Sequence, residues 1–508
     1  MRKQTKIAAG ISAAALVAVA GAMTSLAATG WVNEGGSWYY YNASGDYVTN
    51  SWKTYNGQYF YLGDEGEMWT NRLVEDGDNH YYVDANGAMV KNTWVAIPTE
   101  DDDDLDVEYR WYYFGSTGKA YKDSTGKSIN GKKYGFDDEG KMLFGYVDDS
   151  KTIINDNDNP IYDPTYYFGP NEDGARHSGW LQYTDALDDR DEDYYWFYFN
   201  TSNGKKETNK TKSINGKKYS FDSEGVMDFK WTETTIGDKT VTTWFGTLED
   251  GALAKNKWIW NKPYDNCQYD KNQQDHDDET PRWFRTDASG NLVKGQTKKV
   301  NSKWYAFDED GVMKTGLVRL YTDEDCTKGS AAVSGAHLNA KCAYDMDEVS
   351  FEDLKKVTDP TEARALHYFS EDEEKDGSMK TGTMKIELAD DEYTFCFTKT
   401  TGAAKHGYDK SNKKVYNNGV LLKAGDNKYE VVKNPTADEK GQSKTYLVGT
   451  TGNVLTSANK YKDANDQYFI IGKDGNIYCT YSEDVANAIK KLGAKDDYSN
   501  YTVAEPTK

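Results

Sequence analysis

A short aromatic phrase recurs along nearly the whole chain and sets what it can fold into. It runs through three or four large rings, a few polar residues, a glycine and often a methionine. Trp38-Tyr39-Tyr40-Tyr41 leads to Gly45, and Tyr59-Phe60-Tyr61 leads to Gly66 and Met68. Trp111-Tyr112-Tyr113-Phe114 leads to Gly118, and Trp304-Tyr305-Ala306-Phe307 leads to Gly311 and Met313. Such self-similarity implies stacked supersecondary units instead of one globular core, so function is expected in surfaces repeated along a rod. With 40 Tyr and 14 Trp and few aliphatic residues, burial must come mainly from ring faces. Each ring hides about 150–250 Å².

Alignment on the glycine separates two faces. Residues seven and five before it share one side of a strand, and those six and four before it share the other. The second set is nearly always large and apolar: Tyr39/Tyr41, Phe60/Leu62, Tyr81/Val83, Tyr112/Phe114, Tyr134/Phe136, Tyr219/Phe221 and Tyr305/Phe307. This is the behaviour of a packed face. The first set wanders from Trp38/Tyr40, Tyr59/Tyr61 and Trp111/Tyr113 to Lys133/Gly135 and Lys218/Ser220. A face that accepts lysine and glycine is expected to be exposed, and aromatics there need a reason beyond the core.

The glycine reads as a turn joining two strands, as in Asn42-Ala43-Ser44-Gly45 and Asp137-Asp138-Glu139-Gly140. Each unit is then a hairpin, unstable alone and stabilised by its neighbours. Roughly fifteen such units fit between Gly30 and Tyr478. Acidic inserts at 98–108, 148–164, 185–193 and 261–280 are expected as exposed loops. Lys127-Ser128-Ile129-Asn130-Gly131-Lys132-Lys133-Tyr134 returns as Lys212-Ser213-Ile214-Asn215-Gly216-Lys217-Lys218-Tyr219, which suggests duplication of a multi-hairpin block.

The fold class predicted is all-β: an elongated solenoid of stacked hairpins with acidic inserts and minor helices near 350–366 and 482–492. In the second helix Val485, Ile489 and Leu492 share one side, and it is expected to close the open edge of the last hairpin. The expected organisation is a signal peptide over 1–27, aromatic repeats over 28–316, an irregular insert over 317–367, divergent repeats over 368–480, and a helix and tail over 481–508.

Arg2, Lys3 and Lys6 before the apolar run Ile7 to Val19, then Ser25-Leu26-Ala27, read as an export signal with a cleavage site. No second apolar stretch follows, so no membrane span is expected after its removal, and attachment at a surface would be non-covalent. A net charge of −22 disfavours nucleic acid and tolerates neutral glycans or cationic head groups. Cys267, Cys326, Cys342, Cys396 and Cys479 all lie in the second half, and Cys326 pairing with Cys342 is one arrangement. Neither the six histidines nor the carboxylates form a catalytic or metal-binding motif, so no catalytic residue, metal or cofactor is assigned and the chain is not read as an enzyme. Asp156-Asn157-Asp158 and Asp188-Asp189-Arg190-Asp191 lack the glycine-centred spacing of an EF-hand.

With these residues in view, the chain resembles the cell-wall-binding repeat superfamily. That group includes choline-binding modules of Gram-positive surface proteins, glucan-binding repeats of glucansucrases and receptor-binding repeats of large clostridial toxins. Gly30-Trp31, Gly36-Ser37-Trp38-Tyr39-Tyr40-Tyr41 and Gly45 look like the choline-binding form; Ile129 to Asp137 and its copy at 214–222 look more like the toxin form. The resemblance implies ligand sites between successive hairpins for choline or sugar units. A choline-type cage needs the tryptophan opening a unit plus the two aromatics of the exposed face. Trp31/Trp38/Tyr40, Trp52/Tyr59/Tyr61 and Trp94/Trp111/Tyr113 are complete trios, and Trp180/Trp196/Tyr198 joins them with one extra turn residue before Gly204. Met68 and Met89 stand where the family often adds a thioether wall, whereas Leu317, Met384 and Tyr408 replace the opening tryptophan further along. The implied function is a secreted, non-catalytic rod that binds choline-substituted cell-wall polymer or a neutral glycan. Two alternatives stand beside it: a host-facing adhesin or toxin-like binder of a host glycan or protein, and the accessory part of a cell-wall hydrolase.

Overall fold

A computed structural model describes residues 29–99, 105, 107–154, 161–187, 190–264, 280–323, 340–345, 351–357, 359–372, 376–437 and 441–506. The signal segment expected over 1–27, the acidic runs Asp156-Asn157-Asp158 and Asp188-Asp189, and the cysteines Cys267 and Cys326 lie outside these residues. Two compact units are formed, one running to Lys230 and including Gly246–Ala252, the other made of Trp231–Phe245 and Leu253–Lys508.

Stacked antiparallel hairpins make up the chain, in fifteen small sheets among the described residues. Strands Gly30–Glu34 and Ser37–Tyr41 pair with Trp31 opposite Tyr40, and Ser51–Tyr55 and Gln58–Leu62 pair with Trp52 opposite Tyr61. Several tight turns at the tips have two residues at positive φ, such as Asn56 (48°) with Gly57 (79°) and Asn130 (50°) with Gly131 (83°). This I′ geometry matches the right-handed twist of the strands, and Asn-Gly adopts it at least cost.

The glycine that anchors the aromatic phrase has a different place from the one expected. Gly66 does not join the strands of its hairpin; it follows the second strand and bends the chain back, so that Met68 bridges Leu62. The Trp69 N–H then donates to the Tyr61 carbonyl at 3.0 Å, while the Met68 N–H donates to Trp38 of the preceding hairpin at 2.7 Å. The same link recurs from Met89 to Tyr59, Ala120 to His80, Met142 to Trp111 and Met227 to Trp196, at 2.7–2.8 Å. One backbone bond thus fixes the step between neighbouring hairpins.

On the face expected to pack, Leu62, Val83, Phe114, Phe136 and Phe307 are fully enclosed, while Tyr39, Tyr41, Tyr81 and Tyr305 are half-buried. The acidic inserts differ from expectation. Their described parts return apolar residues to the core: Ile161 and Leu187 pack with Tyr195 and Phe197, and Tyr264 packs with Phe284 and Ile259. Arg190 of one insert is held by Asp222 at 2.7 Å and Glu224 at 2.6 Å.

Where the aromatic phrase is interrupted, Gly316–Tyr321 forms the middle of a three-stranded sheet between Cys342–Asp345 and Leu366–Phe369. Two short helices, α1 (Phe351–Lys356) and α2 (Pro360–Ala365), precede its last strand. Glu362 of α2 is buried and accepts from Arg319 (2.9 Å) and the Tyr321 hydroxyl (3.0 Å). Cys342 is disulfide-bonded, and Cys396 and Cys479 are free. The terminal helix α3 (Glu483–Lys491) touches all three strands of the last sheet, so it covers a face and not an edge. Ala486 and Ile489 are the buried residues of that helix, while Val485 is exposed. Among the described residues no helix is long and apolar enough to cross a membrane.

Candidate aromatic cages

Each opening tryptophan begins just after a residue in the left-handed region, such as Gly30, Asn50, Asn92 or Gly179. That kink aims the indole at both its own hairpin and the next. Trp94 meets Tyr113 across its hairpin edge to face at 5.1 Å, then Tyr134 at 4.9 Å and Phe136 at 5.8 Å in the following one. Trp52 does the same with Tyr61 (5.1 Å) and Tyr81 (5.2 Å), and Trp180 with Tyr198 (5.0 Å) and Tyr219 (4.8 Å). Trp31 lies 5.5 Å from both Tyr40 and Phe60. The opening tryptophan is therefore the contact through which one hairpin stacks on the next, each edge-to-face pair adding about 0.5–1.5 kcal/mol beyond area burial.

Trp180, Trp196 and Tyr198 are drawn into mutual ring contact, whereas Trp94, Trp111 and Tyr113 share one cluster in which Trp94 and Tyr113 meet. Trp94, Trp111 and Tyr113 pack as half-buried residues around Ile129, Tyr134, Phe136 and Met142. Trp180 lies 6.2 Å from Trp196 and 5.0 Å from Tyr198, over Ile214 and Tyr219. In the first two trios only the opening tryptophan and the second tyrosine meet; Trp38 stays half-buried and Tyr59 is 40% exposed. Tyr61 and Tyr198 correct the expected exposed face, since both are buried, at 6% and 7% exposure. The residue five before the turn glycine lies beneath the opening tryptophan, so stacking encloses a side chain that strand alternation alone would leave open. Burial also pushes the Tyr61 and Tyr113 phenols above their usual range. Both stay neutral and act through their rings. Met68 and Met89 lie against the turn glycines of the next unit: a Cβ on Gly87 would sit 2.7 Å from Met68 Cε, and one on Gly118 2.3 Å from Met89 Sδ.

Several ring faces already carry a cation from the protein itself. Lys53 Nζ stands 5.0 Å from the Tyr40 ring, Lys91 Nζ 4.7 Å from Tyr59, and Lys212 Nζ 5.8 Å from Tyr198. Among the described residues no such cation stands over Trp94, Trp111 or Tyr113. Two indole nitrogens, Trp31 Nε1 and Trp196 Nε1, are buried without a hydrogen-bond partner.

Sequence reasoning passed over the tryptophans of the second unit. Trp231 packs on Trp244 and Phe284, each at 4.9 Å, and Trp258 on Tyr305 at 4.8 Å and Trp283 at 6.1 Å. The readable signal was the left-handed residue before each strand, Lys230 (φ 64°) and Asn256 (φ 51°). Opposite Trp258 the tyrosine of other units is replaced by Arg285, whose guanidinium lies 5.5 Å from the indole. A cleft of about 1220 Å³ around Arg110, Asp137 and Glu139 includes none of the predicted cage residues. Among the described residues no group of three or more His, Cys, Asp or Glu side chains is placed to hold a metal ion.

Comparison with known proteins adds the following. Residues 48–94 match a family model described as a choline-binding repeat, and residues 29–47 and 298–313 match one described as a cell wall binding repeat. The modular autolysin LytC of Streptococcus pneumoniae is similar at 18% identity over 59% of this chain and 56% of that one, with a TM-score of 0.32. The chain thus spans little more than half the length of that autolysin. Choline binding protein F of the same organism is similar at 17% identity over 78% of this chain and 99% of that one, TM-score 0.21. A separately solved pneumococcal choline-binding domain reaches 39% identity over 13% of this chain and 88% of its own length, TM-score 0.12. No curated protein sequence matches the chain.

Proposed function

From a chain that carries cell wall binding and choline-binding repeats over 29–94 and 298–313, we propose a secreted, non-catalytic protein that grips choline groups of a cell-envelope polymer. Its aromatic cages lie between hairpins, and attachment to the wall is non-covalent. The observation that carries the reading is the set of lysines standing over cage rings, Lys53 on Tyr40, Lys91 on Tyr59 and Lys212 on Tyr198. Ring faces in these positions attract a cation, whereas a neutral sugar offers none. A quaternary ammonium cannot donate a hydrogen bond, so it is held by ring faces alone, each contact contributing about 0.5–2 kcal/mol. The Trp94/Trp111/Tyr113 trio, free of an internal lysine, is the leading site. One such cage is weak, and several on one chain raise avidity by about 10²–10⁴.

Choline titrated against the intact chain should quench or shift tryptophan fluorescence. Trp111→Ala should remove most of the change, since it opens the leading cage. Lys91→Ala should strengthen choline binding by withdrawing the competing ammonium. Retention on dextran or starch with no response to choline would reject the cation reading in favour of a glycan.

A further inference from the structure

The second unit holds a cavity of about 350 Å³ lined by Arg364, Lys405, His406, Tyr408, Asp409 and Thr436, among others, none of them a residue of the tryptophan trios. Its charge is unlike that of the whole. Its lining carries two cations, Arg364 and Lys405, and one carboxylate, Asp409, with Asp359 acting on His406 from the cap of α2, in a chain of net charge −22. Asp409 Oδ2 accepts from Lys405 Nζ at 2.6 Å, so the one acid is already engaged. Arg364, exposed near the end of α2, meets no carboxylate among the described residues. His406 Nδ1 accepts from the Asn418 N–H at 3.3 Å, which puts the proton of the neutral ring on Nε2. That Nε2 is buried and has no partner among the described residues. A buried donor left unsatisfied costs about 1–3 kcal/mol, and a bound acceptor would remove the penalty. Tyr408, at the position where other units open with tryptophan, stacks on Tyr446 at 4.5 Å and supplies a flat wall.

We propose that this cavity binds a small anionic sugar, its oxyanion held by Arg364 and His406 beside the Lys405–Asp409 pair and its ring laid beside Tyr408. A guanidinium fork suits a carboxylate or a phosphate, and both count as the same chemistry here. The volume admits a monosaccharide but not a longer chain lying wholly inside. Charged groups facing His406 are Arg364 and Asp359 from α2 and its cap, with Lys405 and Asp409 from its own segment. Burial and Arg364 hold the imidazole below its usual range. An incoming anion favours the imidazolium, so binding tightens as pH falls.

Isothermal titration of the full chain with D-glucuronate, D-glucose 6-phosphate, D-glucose and inorganic phosphate tests this. Expected are one site for a sugar acid, none for glucose, and at least about tenfold weakening by Arg364→Gln. Binding should be tighter near about pH 5.5 than near about pH 7.5, and His406→Gln should flatten that difference. The stronger of the two sugar acids identifies the oxyanion. Glucose binding as well as glucuronate, inorganic phosphate binding as tightly as either sugar acid, or unchanged affinity in Arg364→Gln would each overturn the proposal. Arg364 is exposed, so the variant should keep its near-UV CD and its choline response, which separates this site from the cages.

Discussion

Trp94 shows how one residue serves both stacking and a cage. Its indole touches three rings in two hairpins, whereas Trp38, at the tip side of the first hairpin, makes no ring pair among the described residues. Trp94→Ala should therefore cost up to about 3 kcal/mol, the low end for a core aromatic, since the indole is half-buried. Trp38→Ala should cost less than half of that. Urea unfolding of both variants checks the ranking, and equal losses would deny the difference in role. His367 gives a second residue-scale outcome. It is fully enclosed, its Nδ1 donates to the Ala365 carbonyl at 2.7 Å, and burial pushes its pKa down from 6.5 to about 4. Below about pH 6.5 the unfolded chain takes up a proton that the folded imidazole refuses. Its contribution is complete above that pH and is lost as pH falls toward about 4, where the folded ring also protonates. His367→Gln should show a smaller fall in urea midpoint than the wild type over that window. Parallel falls would remove His367 from the account.

At the scale of the hairpin, the step to the next unit rests on methionine against glycine. Gly118 has φ 81° and no room for a Cβ because Met89 lies on it, while Gly57 has φ 79° with nothing within 4 Å. Both lose about 1 kcal/mol as alanine from backbone conformation, but Gly118→Ala should lose a further 1–3 kcal/mol or so from overpacking. In a double-mutant cycle, Met89→Ala should cost less when Gly118→Ala is already present; strict additivity would mean the two do not touch. Much of this architecture is legible from the residues. Phe60, Phe114 and Phe136 declare the core because period-two alternation places them on one face. Tyr61 and Tyr198 mislead because a neighbouring hairpin, and not their own strand, decides their burial. Ile161, Leu187 and Tyr264 are hidden by the acidic composition around them, and only contacts show that single apolar residues fold back. The left-handed Asn50 and Asn92 were readable in principle, as asparagine tolerates positive φ, yet they are short signals beside the aromatic phrase. The second-unit cavity has no such phrase, since Arg364 and Thr436 meet only through tertiary folding.

For the molecule as a whole, contacts that run from one hairpin to the next make stability a sum of local terms. Trp94 makes its ring contacts within its own hairpin, to Tyr113 of Tyr109–Phe114, and within the next, to Tyr134 and Phe136 of Lys132–Phe136. The sheet that contains His367 belongs to the other compact unit and has its own core of Val318, Leu320 and Phe369. Local opening free energies differ along such a chain, and amide hydrogen exchange reads them segment by segment. In Trp94→Ala, protection should fall across 93–136 while amides of Gly316–Tyr321 and Leu366–Phe369 exchange as in the wild type. Between about pH 6.5 and 4, His367→Gln should lose less protection than the wild type in Gly316–Tyr321 and Leu366–Phe369, leaving the first unit unchanged. If either substitution changes protection throughout both units, the chain unfolds as a single cooperative block, and the additive account of its hairpins fails with it.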